Sequence, residues 1–440
     1  MEAKLLLVDE VRLTPILISD PPLLNVQGVH QPFTPRLVVE VVTRGGVVGL
    51  GETYGDGVYL ETARSLAEAL PGRPVTHVNS LFEPVTKAVA GAVAGAVSGA
   101  GAARPEAGAG VDASGLRGVR TAAKLRLSVV SAFETACLDA LGKTLGLPVH
   151  ALLGGKVRDE VEYSAYLFHR WAAHPGAGGP ADDWGAALDP AGVVAQARRF
   201  ARTYGFRSFK LKGGVLDPER EVAAIRALAE AFPGHPLRLD PNGAWSVATS
   251  LAVARALEDV LEYLEDPASG TAAMAEVAAG TGVPLATNMC VTTFEEIPEA
   301  FARGAVRIVL CDHHYWGGLH RTRELAALCR TYGVGLSMHS NTHLGISLAA
   351  MTQVAATLPG LTHASDTHYP WQTEDVVTPR PVFRDGRLPV SDAPGLGVEL
   401  DRPALEALHR RWLDDDGRMR DRDDTAAMRA ADPEWRPRRW

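Results

Sequence analysis

A chain of 440 residues can hold two or three domains and bury a large hydrophobic core. Its formal net charge of −8 argues against a nucleic-acid-binding protein, because such proteins carry a strongly basic surface. Its four cysteines lie in apolar surroundings without C-x-x-C spacing, which indicates free thiols in a reducing compartment and not disulfides or a zinc site: Cys137, Cys290, Cys311 and Cys329.

The first part of the chain predicts a small α+β domain. An opening strand covers residues 4–20, and a Gly/Pro-rich loop that carries His30 follows it. β-Branched residues on both sides of Gly45 and Gly46 predict a hairpin that turns at these two glycines. We assign residues 1–135 to this domain.

Two helical patterns flank a low-complexity segment. The first pattern covers residues 59–90, and the second, amphipathic one covers residues 124–145. Residues 88–118 between them are dominated by Ala and Gly. Few side chains there could bury enough surface to offset the entropy of ordering, so we expect a mobile or poorly specified loop.

From residue 136 to residue 393 the sequence alternates short apolar strands with helices. Seven of the apolar runs close on a polar residue, a pattern typical of a (β/α)8 barrel, an α/β fold whose active site lies at the C-terminal ends of its strands. A Gly/Pro-rich connection at residues 174–189 is a candidate active-site loop. The remaining residues, 394–440, are charged and partly helical. The eight predicted strands lie near residues 161, 206, 236, 261, 283, 306, 333 and 361.

Two lysines close the second barrel strand. Lys210 and Lys212 are two residues apart, so both side chains should point to one face of the strand, toward the barrel mouth. Crowded ammonium groups repel each other, which should lower the pKa of at least one and let it act as a general base. The alternative is a pair of solvated surface lysines, and the apolar strand before them favours the catalytic role.

Three oxygen-bearing residues close the next three strands. Asp240, Glu265 and Asn288 should lie roughly 5 Å apart at neighbouring strand ends, which suits a hard divalent cation, with magnesium as the first choice. Each residue alone could merely cap the following helix, but three in register favour the metal. Because the third ligand is an amide, the two carboxylates give the ligand set a formal charge of −2. This low charge should favour an anionic substrate, such as one with two carboxylates.

An aspartate and a histidine close strands six and seven. Asp312 can accept a hydrogen bond from one nitrogen of His339, which fixes the tautomer and raises the basicity of the other nitrogen. A lone histidine at a strand end is more often structural, whereas the pairing favours an acid–base role. A lysine or histidine base beside magnesium suits removal of a proton α to a carboxylate, with the metal stabilising the enediolate. The second base could return the proton or help hydroxide leave.

These residues stand in sequence motifs that resemble the enolase superfamily, and within it the glucarate dehydratase family of the mandelate racemase group. The motifs are FKLKGG, LDPNGAW, EDP, ATNMCVT, LCDHHYWGG, MHSN and DTHYPWQ, and weaker matches occur in VQGVHQPF and RDRDDTAAM. The resemblance covers nearly the whole barrel. It implies an α+β capping domain, a modified barrel and a C-terminal segment that returns to the cap.

The resemblance also implies a role for each matching residue. Lys212 and His339 would be bases on opposite faces of the substrate, Lys210 would contact the substrate carboxylate, and Asp312 would orient His339. Magnesium would be held by Asp240, Glu265 and Asn288. Substrate contacts would be made by His30, Tyr166, Asn242, Ser340, Asn341, His368 and Arg422.

The implied enzyme is a carbon–oxygen lyase that dehydrates an acid sugar, foremost D-glucarate to 5-dehydro-4-deoxy-D-glucarate. The planar fork of Arg422 suits a second carboxylate. The gathered cations, together with a divalent metal that balances the −2 charge of its ligand set, predict a net positive site. A racemase or epimerase, a dehydratase of galactarate or an aldonate, and a catalytically idle barrel are the alternatives. The short stretch after Pro267, where some relatives carry a longer loop, bears on the choice of substrate.

The remaining expectations concern partners and location. We expect a small-molecule substrate, no nucleic acid, no membrane partner and a homo-oligomer, either a dimer or a larger assembly. The N-terminus lacks the apolar run of a signal peptide, and no stretch reaches membrane-spanning length. The sequence therefore predicts a cytoplasmic protein.

Overall fold

The computed structural model describes residues 3–81, 122–175, 179–180 and 182–440. The predicted Ala/Gly loop at 88–118 lies outside the described residues. Within the described N-terminal part, the strands are β1 (Val8–Ser19), β2 (Leu24–Asn25), β3 (Gly28–Val29), β4 (Phe33–Thr43) and β5 (Val48–Tyr54), and the helices are α1 (Gly57–Ala69) and α2 (Ala122–Leu145).

The N-terminal sheet pairs β1, β4 and β5 antiparallel in that order, and β2 pairs with β3 in a small ribbon. The predicted hairpin is confirmed: Gly46 has a φ of 78°, which glycine adopts without steric cost. The first helical pattern was predicted too long. Helix α1 ends at Ala69 because Pro71 and Pro74 follow it, and proline cannot continue a helix.

Helix α2 covers the second predicted pattern but is not amphipathic. It is buried on most sides because β5 packs against one side and the barrel against another. A Cβ on Gly49 or Gly51 would overlap the backbone of α2, so these glycines permit the close approach of sheet and helix. On the barrel side, Glu134 of α2 accepts hydrogen bonds from the backbone N–H groups of Leu319 and His320.

Eight parallel strands form the barrel, as predicted, and each begins at most four residues from its predicted position. The ring closes where β13 pairs with β6 and where Leu361 bridges Leu336 of β12. The strands are β6 (Glu160–Phe168), β7 (Phe209–Lys212), β8 (Leu237–Asp240), β9 (Leu261–Glu265), β10 (Leu285–Thr287), β11 (Ile308–Cys311), β12 (Gly335–Met338) and β13 (Ser365–Thr367). The described helices of this part are α3 (Val149–Leu152), α4 (Pro190–Tyr204), α5 (Pro218–Ala231), α6 (Val247–Leu257), α7 (Gly270–Ala279), α8 (Ile297–Ala302), α9 (His313–Trp316), α10 (Leu319–Tyr332) and α11 (Gly345–Ala356).

The C-terminal segment returns to the N-terminal sheet, as the resemblance implies. It contains β16 (Glu399–Leu400), α12 (Arg402–Asp414) and α13 (Ala426–Ala431), and two short strands precede it, β14 (Val377–Thr378) and β15 (Arg387–Pro389). Helix α12 lies against β1, where His409 Nδ1 lies 2.7 Å from the carbonyl oxygen of Pro15. The backbone N–H of Val29 donates to the carbonyl of Asp424 at 3.1 Å. The domain boundaries at residues 135 and 393 stay predictions.

Two further observations bear on the sequence expectations. All four cysteines are buried free thiols, as predicted. Among the described residues, no helix is both long and apolar enough to cross a lipid bilayer.

Candidate active site

The lysine pair lies at the C-terminal end of β7, with both side chains buried in the barrel mouth. Lys210 Nζ donates to Glu265 Oε2 at 2.5 Å and to Asp366 Oδ2 at 2.6 Å. Lys212 Nζ donates to Asp240 Oδ2 at 2.6 Å and lies 3.0 Å from the hydroxyl of Tyr166. The two lysines therefore share one face and donate to different carboxylates, although Lys210 Nζ also lies 3.8 Å from Asp240 Oδ2.

Repulsion between the two lysines does not lower the pKa of Lys210. Burial lowers the pKa of Lys210, but Asp366, Glu265 and Asp240 outweigh burial and hold that pKa well above its ordinary value. Lys210 is therefore a permanent cation, in keeping with a role in binding a carboxylate. Its two ion pairs also fix its position among the strand ends.

The three predicted metal ligands close neighbouring strands. Asp240 ends β8, Glu265 ends β9, and Asn288 directly follows β10. On each strand, the residue two positions earlier points to the same face as the ligand candidate. These earlier residues are Arg238, Tyr263 and Ala286. All three ligand candidates are buried.

The donor chemistry of these residues fits a divalent cation. Glu265 Oε1 is buried and has no hydrogen-bond partner in the described part of the chain, so one carboxylate oxygen is free to coordinate. Asp240 Oδ1 accepts from the backbone and side-chain nitrogens of Asn242, at 3.0 and 2.9 Å. Burial raises the pKa of Asp240, but Lys212 and Lys210 outweigh it and hold that pKa below its ordinary value. Asp240 is therefore ionised, as a metal ligand must be.

The predicted Asp–His pair is present, with His339 Nδ1 3.0 Å from Asp312 Oδ2. Since Nδ1 is engaged, Nε2 is the ring nitrogen left for proton transfer. Burial lowers the pKa of His339, and Asp312 only partly opposes this effect. His339 is therefore neutral near pH 7, whereas the sequence argument expected Asp312 to raise its basicity.

A small cavity of about 20 Å³ joins the two proton-transfer groups to most of the expected substrate contacts. This volume holds about one water molecule, so a six-carbon substrate requires the lining groups to move. Of the seven expected contacts, Asn242 alone does not line this cavity, because its side chain is turned to Asp240. The lining residues are Asn25, His30, Tyr166, Phe168, Lys212, His339, Ser340, Asn341, His368, Arg422 and Asp424.

Arg422 reaches this cavity from the C-terminal segment. Its guanidinium NH1 lies 3.3 Å from Asp20 Oδ2 and 3.2 Å from the Thr34 hydroxyl, and its Nε donates to Asp424 Oδ1. Asp20 Oδ1 also lies 3.0 Å from His30 Nδ1. The histidine and the arginine therefore form one network around Asp20.

The expectation of a net positive site needs correction. Arg422 faces two carboxylates, and Lys210 and Lys212 are also held by carboxylates. The chain's own side chains thus compensate every permanent cation that the sequence argument counted. An anionic substrate must compete with these carboxylates or bind beside a metal cation.

Two carboxylates that contact Arg422 were missed as functional candidates: Asp20 and Asp424. A sequence signal was available for Asp20, because it follows the apolar strand PILIS just as the barrel candidates follow their strands. The contact of Asp424 with Asn25 had no such signal, because it joins residues 399 positions apart in the chain. Of the predicted active-site loop, His174 contacts this network, because its Nε2 lies 2.7 Å from the carbonyl oxygen of Asp20.

Comparison with known families accounts for both parts of the fold. The mandelate racemase/muconate lactonizing enzyme N-terminal domain matches residues 10–154, and the enolase C-terminal domain-like family matches residues 192–404. The chain belongs to the enolase superfamily. Within this superfamily it has the mandelate racemase type of N-terminal domain, and the C-terminal match spans β7 to β13 of the barrel.

Three relatives of this superfamily chain are similar over nearly its whole length. A probable glucarate dehydratase of Streptomyces coelicolor is 70% identical over 98% of this chain and 97% of its own. An enolase of Thermobispora bispora, complexed with magnesium and formate, is 53% identical with a TM-score of 0.89 over 99% of each chain. An enolase of Pseudomonas fluorescens with bound magnesium, potassium and tartrate is 45% identical, with a TM-score of 0.90 over 98% of each chain.

Proposed function

We propose that this enolase-superfamily chain is a magnesium-dependent acid-sugar dehydratase, a carbon–oxygen lyase whose foremost substrate is D-glucarate. The observation that carries the proposal is that Lys212 and His339 line one cavity and that Lys212 donates to Asp240, one of the three candidate metal ligands. The 70% identity to a probable glucarate dehydratase supports the same substrate class.

The two proton-transfer groups have different roles in the proposed reaction. Lys212 or His339 removes the proton α to a substrate carboxylate, and the configuration at that carbon decides which group faces the proton. When His339 has taken the α-proton, the resulting imidazolium can donate that proton to the departing β-hydroxyl, which leaves as water. Tyr166 lies beside Lys212 and would help to hold its ammonium group in the cavity.

The metal candidates and Lys210 act on the substrate carboxylate. Asp240, Glu265 and Asn288 would hold magnesium, which when bound neutralises the negative charge that develops as the α-proton leaves. Lys210, held as a permanent cation, would bind the same carboxylate. Asn242 would fix the orientation of Asp240 through its two hydrogen bonds to Oδ1.

The far end of the cavity suits a second carboxylate. Arg422 offers a planar guanidinium, and a diacid could replace Asp20 or Asp424 as its partner. His30, Ser340, Asn341 and His368 would contact hydroxyl groups along the sugar chain. A relative at 45% identity is solved with tartrate, which is itself a hydroxy diacid.

The proposal is tested by supplying six-carbon diacids and their monoacid counterparts to the magnesium-loaded enzyme in deuterated water. We expect a keto-deoxy product from the diacid, and the discrimination against the monoacid should shrink by about 1.5–3 kcal/mol in Arg422→Ala. Arg429→Ala, an exposed change in the same segment, is the matched control and should keep the preference. Equal turnover of diacid and monoacid by the wild type would contradict the diacid assignment, and deuterated epimers without dehydration would indicate an epimerase.

A further inference from the structure

A second cavity shares a wall with the active-site cavity. We call it the outer cavity and define it by five of its lining residues: Asn25, Trp171, Arg220, Trp435 and Arg438. Its volume of about 300 Å³ lies at the lower end of the range for small-molecule sites, whereas the active-site cavity has room for about one water molecule. Asn25 lines both cavities, and its Nδ2 donates to Oδ2 of Asp424, which lines the active-site cavity, at 2.8 Å.

Packed segments form the walls of the outer cavity. The ribbon of β2 and β3, the loop after β7 and the C-terminal segment all contribute lining residues. Gly28 has a φ of 128°, and a Cβ at this position would overlap the carbonyl oxygen of Asp424 and the side chain of Met428, so glycine permits the ribbon to meet the C-terminal segment. Glu221 holds the loop, because its side chain accepts from the backbone N–H groups of residues 214–216 at 2.8–2.9 Å.

The outer cavity carries positive charge without carboxylate partners. Of the described residues that line it, Arg220 and Arg438 are charged, and none is an aspartate or a glutamate. Both arginines are exposed, and neither forms an ion pair within the described part of the chain. Arg220 NH2 donates to the carbonyl of Leu188 at 2.9 Å, and the Arg438 guanidinium lies 5.6 Å from the ring centroid of Trp440. In the active-site cavity, by contrast, Arg422 faces two carboxylates.

Two tryptophans complete the chemistry of the outer cavity. Trp171 and Trp435 are half-buried, and each indole offers a large apolar face and one N–H donor. A guanidinium offers a planar fork that fits a carboxylate. This combination suits a ligand that carries a carboxylate on a hydroxylated carbon chain.

We propose that the outer cavity is a binding site for the carboxylated sugar substrate, where Arg220 and Arg438 bind a carboxylate and Trp171 and Trp435 pack against the carbon chain. The identity of the ligand rests on the proposed function, whereas the binding of a carboxylate by the two arginines does not. A substrate bound there lies across a shared wall from the active-site cavity. Arginines without carboxylate partners also attract anions from solution, and salt screens this attraction.

Fluorine NMR of the magnesium-loaded protein labelled with 5-fluorotryptophan tests the site. Trp171→Phe and Trp435→Phe assign the two resonances, and succinate is the first probe, because it has two carboxylates but no hydroxyl that could be eliminated. We expect succinate to shift both resonances at low ionic strength and to shift them less at high salt, and we expect the uncharged polyol glucitol to shift neither. Absence of a succinate-dependent shift, or an equal shift with glucitol, would overturn the proposal.

Arginine variants show whether the shift reports the outer cavity or binding elsewhere. Arg220→Gln and Arg438→Gln should each weaken succinate binding by about fivefold, as expected for an exposed ion pair. Arg436→Gln is the matched control, because Arg436 is an exposed arginine of the same segment that does not line the cavity. Unchanged affinity in both Arg220→Gln and Arg438→Gln would overturn the proposal.

D-Glucarate is compared with succinate in Lys212→Ala/His339→Ala, which lacks both proposed bases and therefore does not consume the sugar. D-Glucarate should shift the two tryptophan resonances at lower concentration than succinate, whose own shift in this variant verifies that the site is folded. Failure of D-glucarate to shift them would overturn the proposal even if the wild type dehydrates it. Binding of succinate and D-glucarate through the two arginines in a protein that dehydrates no acid sugar would sustain the outer site and reject only the proposed function.

Discussion

Lys210 and Lys212 are neighbours on one strand, yet the structure gives them different surroundings. Lys210 is held between Glu265 and Asp366, and its pKa lies well above its ordinary value because of the surrounding carboxylates. Lys212 lines the cavity beside Tyr166. This difference supports the proposal that Lys210 binds the substrate carboxylate and Lys212 transfers the proton.

The assignment of proton-transfer groups predicts that two variants differ in stereochemistry. Lys212→Ala and His339→Ala should each lose solvent deuterium exchange at the α-carbon with one epimer of the substrate, by about 10²–10⁴-fold, and retain it with the other. Proton NMR of substrate recovered from deuterated water measures both losses. Equal loss of exchange by both variants with every epimer would reject two bases on opposite faces.

The metal assignment predicts a loss of binding without a loss of fold. Asp240→Asn and Glu265→Gln should each weaken magnesium binding by about tenfold or more, because each removes a charged oxygen donor. Asp366→Asn is the matched control, since Asp366 binds Lys210 as Glu265 does but is not one of the candidate metal ligands. Titration calorimetry with Mg²⁺ and circular dichroism measure affinity and fold. Unchanged affinity in both ligand variants would place the metal elsewhere.

At the scale of elements, strand alternation explains why the candidate residues meet. Arg238, Tyr263 and Ala286 occupy the strand face two residues before Asp240, Glu265 and Asn288. Tyr263 and Ala286 belong to a separate buried cluster, completed by Ile308 and Leu310, so apolar packing lies directly before the polar strand ends. A shift of one residue in any strand would turn its functional side chain to the opposite face.

One contact couples a strand of the N-terminal sheet to a barrel helix. Glu52 of β5 accepts from the backbone N–H of Leu344 at 3.0 Å and of Ser347 at 2.9 Å, where α11 begins, and from Arg36 Nε at 2.9 Å. This carboxylate thus satisfies N–H groups that a helix start leaves without partners, and it balances a buried arginine.

We expect Glu52→Gln to lower the free energy of unfolding by about 3–5 kcal/mol, because it leaves Arg36 buried without a counter-charge. Asp259→Asn, which removes an exposed ion pair with Arg226, should cause no measurable change. Urea unfolding followed by circular dichroism compares the two variants with the wild type. Similar stability of Glu52→Gln and wild type would show that another group compensates Arg36.

At the scale of the whole molecule, the cavity is assembled from all three parts of the chain. The N-terminal part contributes His30, the barrel contributes Lys212 and His339, and the C-terminal segment contributes Arg422. The cavity is therefore complete only when the residues after α12 pack against the N-terminal part of the chain.

Acid stability should depend on buried neutral histidines. Burial lowers the pKa of His169 to about 4 from an ordinary 6.5, so between these values the unfolded chain binds a proton that the folded chain does not. Stability therefore falls as the pH falls from 6.5 to 4, by about 1.4 kcal/mol per pH unit for this group. Glu221 and Asp266, whose pKa values are raised by burial to about 7, have the opposite effect in much of this range.

Comparison of the acid stability of the wild type with that of His169→Gln isolates the contribution of His169. The variant should lose less stability than the wild type between pH 6.5 and 4.5 in urea unfolding, whereas the exposed change His77→Gln should match the wild type. If His169→Gln loses as much stability as the wild type, His169 is not kept neutral by burial.

The sequence by itself determined the barrel, the strand ends and the type of chemistry. Lys210, Asp240, Glu265, Asn288 and His339 each follow a short apolar run, and local alternation of side chains decides that such residues point to one face. Both the order of the strands and the hairpin at Gly45 followed from the same local patterns. The length of α1 did not, because the helical pattern was extended through Pro71 and Pro74.

Only the tertiary structure decided the charge balance and the shape of the site. Asp20, Asp424 and Arg422 meet although the chain separates Asp20 from Arg422 by several hundred residues, and no local pattern reports such a contact. The pKa of His339 was also misjudged from the sequence, because burial lowers it more than Asp312 raises it. A pKa depends on burial and on every charge within a few ångströms, and both are properties of the folded chain and not of neighbours in the sequence.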